Sequence, residues 1–173
     1  LLLQIKNFVS SKTLLEKAIK LQPSFANAHN NLGIVFKELN QSQKAINCFK
    51  KAVEIQPNFA NAQYNLGLLF NELNKFQKAI DCYEKAIQID PNYTIAHSNL
   101  GNVFKKLGEH KKAIRCYEKA IKIQPNSAIA YNNLGLVFKD LKKFKEAINC
   151  FQKSIDFQPN YPDAYNNLGI IFK

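Results

Sequence analysis

Two residue types that recur at a fixed spacing, and a third that occurs in the same repeats, could carry chemistry. The first is asparagine, at Asn31, Asn65, Asn99, Asn133 and Asn167, 34 residues apart each time. Its amide offers donor and acceptor together. That suits the alternating C=O and N–H groups of an extended peptide and demands no particular sequence. One helical turn earlier stand Asn27, Asn61, Ile95, Ile129 and Asp163; one turn later stand Ile34, Leu68, Asn102, Leu136 and Ile170. A further turn along come Lys37, Asn71, Lys105, Lys139 and Lys173, whose lysines would favour an acidic partner segment. A constant column with variable flanks reads as backbone capture with local selectivity. The competing reading has the amides tying neighbouring helices together and the lysines forming a solvated face.

The second type is cysteine, at Cys48, Cys82, Cys116 and Cys150. Equivalent positions on stacked helices lie about 8–10 Å apart or more, too far for disulfides, whose Cα atoms approach within about 7 Å. Four free thiols fit a reducing compartment such as the cytoplasm, and their place beside small alanines reads as buried filler. The third type is histidine. His29 and His97 share the slot of Tyr131 and read as packing residues, and His110 replaces a phenylalanine. There is no Cys-x-x-Cys pair or histidine cluster to hold zinc. Nothing resembles a nucleophile–base pair, paired carboxylates or a glycine-rich phosphate loop. No catalytic residue, cofactor or metal is expected.

The formal net charge of +11 invites a nucleic-acid reading. Against it, Arg115 is the one arginine among 24 basic residues, and arginine is the better base and phosphate fork. The charge is also uneven: residues 94–127 carry a net +5, residues 60–93 a net −1. Nucleic-acid binding through that third unit is therefore the weaker alternative. No apolar run approaches the ~20 residues of a membrane span, and Leu1–Leu3 is too short for a signal-peptide core. The sequons at Asn40 and Asn92 would matter only in a secreted protein.

These columns imply elements that repeat. Prolines fall at Pro23, Pro57, Pro91, Pro125 and Pro159, and Asn-Leu-Gly triplets end at Gly33, Gly67, Gly101, Gly135 and Gly169. A period of 34 means stacked helix pairs. Four full units are expected, at 26–59, 60–93, 94–127 and 128–161. They follow a drifted partial unit at 1–25 and precede the start of a fifth at 162–173, in one solenoid over 1–173. In the first unit Ala28, Leu32, Val35, Phe36 and Leu39 form one helical face. A turn at Asn40–Ser42 follows. Ala45, Ile46, Phe49, Ala52 and Val53 form the second face, which ends near Gln56 because the residue before Pro57 leaves the helical region. Ser11 and Lys12 replace an Ala-Ile pair, so the partial unit should pack less well. Glycine inside a helix costs about 1 kcal/mol relative to alanine. Its recurrence predicts close approach of another helix, with Ala45, Ala79, Ala113 and Ala147 as the facing surface. With no methionine, the chain reads as a piece of something longer. Without polar capping units, end-to-end association is expected through Phe157 and Ile171 at one end and Leu14 and Leu15 at the other.

The motif His29-x2-Leu32-Gly33-x2-Phe36, Ala45-x3-Phe49, Pro57 resembles the tetratricopeptide repeat (TPR) pattern. It recurs with Gln63, Leu66, Gly67, Phe70, Ala79, Tyr83 and Pro91. The opening tryptophan of the family is replaced by His29, Gln63, His97, Tyr131 or Tyr165. The resemblance implies an all-α, right-handed superhelical solenoid whose first helices line a concave face. It also implies a non-catalytic protein–protein interaction module that binds an extended segment. The wording IQPNFANAQYNLG and AIxCY is further similar to the repeats of O-GlcNAc transferase, where an asparagine ladder along the groove grips substrate backbones. That resemblance implies the alternative, a substrate-recognition arm of a larger glycosyltransferase. The clamp that some TPR adaptors use for acidic chaperone tails would need basic residues at Asn30, Ile95 and Asn99 and asparagines at Ile34 and Asn65; only Asn65 fits, so binding of such tails is not expected.

Overall fold

The computed structural model describes residues 2–172, with side chains from residue 7 onward. Leu1, and Lys173 of the lysine column, lie outside the described residues. Ten helices and no strand occur among the described residues. They are α1 (Leu2–Leu21), α2 (Ala26–Glu38), α3 (Ser42–Ile55), α4 (Ala60–Glu72), α5 (Phe76–Ile89), α6 (Thr94–Lys106), α7 (His110–Ile123), α8 (Ala128–Asp140), α9 (Phe144–Phe157) and α10 (Pro162–Ile171). The chain divides after Pro91 into two compact units, α1–α5 and α6–α10.

Each helix pair is closed by the same turn, one residue shorter than the sequence suggests, because Ser42 already opens α3. The residue after the first helix's last turn is left-handed: Asn40 (φ 57°), Asn74 (φ 54°), Gly108 (φ 72°) and Lys142 (φ 58°). The following amide then reaches back over the helix end, as in Gln41 N–H to Phe36 O at 2.8 Å. This satisfies carbonyls that the helix itself leaves open. At the other end of the pair α3 stops at Ile55, where the approach of Pro57 forces extended backbone.

The apolar faces fall where periodicity puts them. Ala28, Leu32, Val35, Phe36, Ala45, Ile46, Phe49 and Ala52 are buried, while Leu39 and Val53 are half-buried at the rim. In α1 no side chain from residue 7 onward is fully buried, in keeping with Ser11 and Lys12 on its inner face. Lysines cover a recurrent phenylalanine: Lys44 lies 5.5 Å above Phe36, Lys78 5.8 Å above Phe70 and Lys112 5.1 Å above Phe104. Such contacts are worth about 0.5–1 kcal/mol at exposed sites. In the last full repeat Glu146 holds that lysine slot, and Phe138 is only half-buried.

The atoms nearest the repeated glycine belong to a large ring on the second helix. A Cβ on Gly33 would lie 2.6 Å from the Phe49 ring; on Gly101 or Gly135 it would meet Tyr117 at 2.8 Å or Phe151 at 2.7 Å. The glycine is a socket for the large ring one helix away, and the alanines of that helix are fully buried. Around Gly169 nothing stands within 4 Å. Alanine at Gly33 or Gly101 is therefore expected to lower unfolding stability by about 1–3 kcal/mol through overpacking. At Gly169 it is neutral or gains up to about 1 kcal/mol of helix propensity. Urea titration of the three variants checks the contrast; equal losses at all three would contradict the socket.

Candidate functional site

Within each unit the first helices of successive repeats touch (α2 with α4, α6 with α8, α8 with α10), whereas a second helix reaches, beyond its own repeat, only the next first helix. First helices converge on the inner side, and that side carries the asparagine column. Asn31, Asn27 and Asn61 are exposed; Asn65, Asn99, Asn133 and Asn167 are half-buried.

Part of the column is bound to the protein itself. Asn65 Nδ2 donates to Asn30 Oδ1 at 2.9 Å, and Asn167 Nδ2 donates to Asn132 Oδ1 at 3.0 Å. The acceptors are only 6% and 4% exposed, and buried amides need such partners. Asn30 in turn donates to Asn31 at 3.4 Å. At these two steps the amides do tie neighbouring repeats together. In the third repeat Ser98 replaces the buried asparagine and the pattern shifts. Asn133 donates to Asn102 Oδ1 at 3.3 Å, Asn102 donates to Asn99 at 3.3 Å, and the Tyr117 hydroxyl donates to Asn102 Oδ1 at 2.7 Å. Sequence reasoning missed Asn30, Asn132 and the Asn102–Tyr117 pair. The available signals were the doubled Asn-Asn of the first and fourth repeats, and one polar residue in an apolar slot where the opposing aromatic is tyrosine.

Asn99, Asn102 and Asn133 line one depression of about 430 Å³, together with Ile95, Ile129 and Ser98. Ile95 and Ile129 remain 54% and 56% exposed. Its lining bears no charge. The lysines lie further along the helices and differ in state. Lys37 stands between Glu38 (3.5 Å) and Glu72 (3.4 Å), whereas Lys105 and Lys139 are half-buried and have no ion pair among the described residues.

The other expected residues are placed as follows. His29 Nε2 lies 3.0 Å from Pro23 O, and His97 is buried. His110 is half-buried, with Nδ1 lacking a protein partner. Cys82 and Cys150 are buried, Cys48 and Cys116 half-buried, and all four are free thiols. Burial pushes Cys48, Cys82 and Cys150 up from 9.0 to about 11; nearby Glu16 adds to this at Cys48. Phe157 and Phe172 are exposed, as is Leu14; Leu15 and Ile171 are half-buried. Among the described residues no group of three or more His, Cys, Asp or Glu could hold a metal ion, and no helix is long and apolar enough to cross a membrane.

This is an all-α repeat architecture of paired helices with a polar column on the inner side. The chain belongs to the tetratricopeptide repeat proteins. A family model described as TPR repeat matches residues 67–108 and 101–142. Two described as tetratricopeptide repeat match 26–59 and 128–161, and 48–81. Among solved structures, MamA is 30% identical with a TM-score of 0.83, over 89% of this chain and 90% of that one. YrrB, described as a TPR protein with an unusual peptide-binding site, is 22% identical with a TM-score of 0.78, over 95% of this chain and 85% of that one. PilF of Pseudomonas aeruginosa is 24% identical with a TM-score of 0.77, over 85% of this chain and 67% of that one. The likeness to YrrB and PilF is one of fold. No curated protein sequence gives a significant match.

Two predictions follow from the buried polar groups. The Tyr83 hydroxyl is fully buried without a protein partner, because Leu68 stands where Asn102 serves Tyr117. Tyr83→Phe is expected to stabilise by about 1 kcal/mol and Tyr117→Phe to destabilise by a similar amount, read as opposite shifts of the urea midpoint. The second concerns pH. Burial favours the neutral form of the Cys48, Cys82 and Cys150 thiols and of Tyr83 and Tyr117. Their contribution is complete below the unfolded thiol value and is lost as pH rises through the folded one. Stability should hold to about pH 8.5 and fall steadily as pH approaches 11, measured by urea midpoints in the reduced protein. A flat profile to that pH would contradict it.

Proposed function

We propose that the chain is a non-catalytic protein-interaction module that holds an extended peptide segment against its first helices. The depression shared by Asn99, Asn133, Ile95 and Ile129 carries this reading. Amides on two successive first helices can take up a strand's backbone groups, and the exposed isoleucines on either side offer a seat for one apolar side chain of the segment. Asn167 offers the same group on the last repeat of that unit, and within the α1–α5 unit Asn31, Asn65, Asn27 and Asn61 offer theirs. Lys105 and Lys139, free of ion pairs among the described residues, favour acidic residues flanking the apolar anchor. Lys37 contributes less, its charge being already met by two glutamates. Free thiols that stay reduced suit a cytoplasmic setting. The wording of the repeats also favours a second reading, in which the same face serves as the substrate arm of a larger O-GlcNAc-type enzyme; this chain would then bind peptides without turning them over.

The test is selection of linear peptides from a random phage-displayed library, followed by calorimetry with the selected synthetic peptides. Ile95→Asp/Ile129→Asp and Asn99→Ala/Asn133→Ala are each expected to weaken binding at least about tenfold. The isoleucine pair has no role in the fold's own hydrogen bonds, so its effect separates binding from folding. Undiminished affinity in both double variants would overturn the reading.

A further inference from the structure

Away from the asparagine column, a cavity of about 310 Å³ opens between α3, α4 and α5. Its apolar floor is Val53, Leu66 and Phe70, with Cys82 at one side and Lys50, Lys78 and Lys85 around the mouth. Gln63 also lines it. This residue is only 7% exposed, yet its amide makes no hydrogen bond to the protein among the described residues. Asp81 is the one acid of the lining, and its carboxylate already accepts from Gln77 Nε2 at 3.0 Å. Lys50, Lys78 and Lys85 form no ion pair among the described residues.

The α6–α10 unit holds the equivalent set two repeats on; Lys153 keeps the place of Lys85, while other positions differ. Tyr131 replaces Gln63; its ring stacks on Phe157 at 5.6 Å and lies 5.4 Å beneath Lys153. Glu118 replaces Lys50, and Glu146 replaces Lys78. The lining thus passes from a surplus of acid around a ring-filled slot to a surplus of lysine around an open one. Gln63 stands in a slot that takes a ring in the other repeats. The charge reversal is carried by substitutions on two further helices.

We propose that this cavity binds a small organic carboxylate with a compact apolar body. The carboxylate sits between the Lys50 and Lys85 ammonium groups, a polar edge meets the Gln63 amide, and the apolar body lies on Leu66 and Phe70. Its volume is at the small end of ligand pockets, roughly 300–1,000 Å³, so it suits a single-ring or branched-chain acid. The site is independent of the peptide face, since none of its residues belongs to the asparagine column.

Benzoate is the probe, followed by ¹⁵N–¹H spectra of the whole chain, with benzamide and inorganic phosphate as comparison arms. Benzoate is expected to shift the Gln63 side-chain amide and the Leu66 and Phe70 backbone signals with a Kd on the order of 1 mM. Benzamide, of the same shape without charge, should bind at least about tenfold more weakly. Gln63→Tyr, which copies Tyr131, should abolish the shifts. Lys50→Glu, which copies Glu118, should weaken them at least about tenfold. If Gln63→Tyr fails to fold, Lys50→Glu and benzamide still decide. Three results would each overturn the proposal: no shift at Gln63 up to about 50 mM benzoate, equal shifts with phosphate from a diffuse counter-ion atmosphere, or undiminished binding in the variant that folds.

Discussion

The contact between a helix that lacks a side chain and a ring that fills the gap governs the architecture. Gly33, Gly67, Gly101 and Gly135 each accept an aromatic from the second helix of the same repeat, and those aromatics are among the largest fully buried side chains. A bare backbone lets the two helices approach to ring thickness, and the area buried there offsets the propensity lost at glycine. This one contact sets the spacing within a pair. The position of the first helix's inner face, and of the amides upon it, follows from that spacing. The left-handed residue at Asn40, Asn74, Gly108 and Lys142 then needs only to turn the chain. That turn accepts three residue types because it carries little of the packing.

The inner side is accordingly both structural and open to partners. Its buried amides, Asn30 and Asn132, are consumed in holding repeats together, while Ile95 and Ile129 remain in solvent. Where Ser98 interrupts the pattern, the hydrogen bonds move outward to Asn102. The depression bordered by Asn99 and Asn133 lies at that interruption. A binding face of this kind depends on repeats that are similar enough to stack and different enough to leave polar groups in reach.

Much of this was legible in the residues. The 34-residue period, the two apolar faces and the stop before each proline are local properties, and local spacing predicts them. The partner of the glycine was not legible. Ala45 and Phe49 lie one turn apart on the same helix face, and periodicity alone cannot say which of them meets Gly33. Nor were the bonds from Asn65 to Asn30 and from Asn167 to Asn132, which depend on how one helix is rotated against the next. Nor was the cavity that Gln63 lines. A cavity is a matter of volume, and volume emerges only once neighbouring helices are set.

The pairing of Asn102 with Tyr117 bears on how such repeats can be re-engineered. Column averages treat each slot as independent. In this chain the aromatic slot reads Phe49, Tyr83, Tyr117 and Phe151, and the opposing slot reads Ile34, Leu68, Asn102 and Leu136. A consensus unit that took the tyrosine from one column and the leucine from the other would be built entirely from residues this chain uses. Every copy would then carry the stranded hydroxyl found here at Tyr83. Multiplied along an idealised array, a defect tolerable in one repeat becomes a penalty that grows with length. The unit that can be copied is the pair of residues, not the slot.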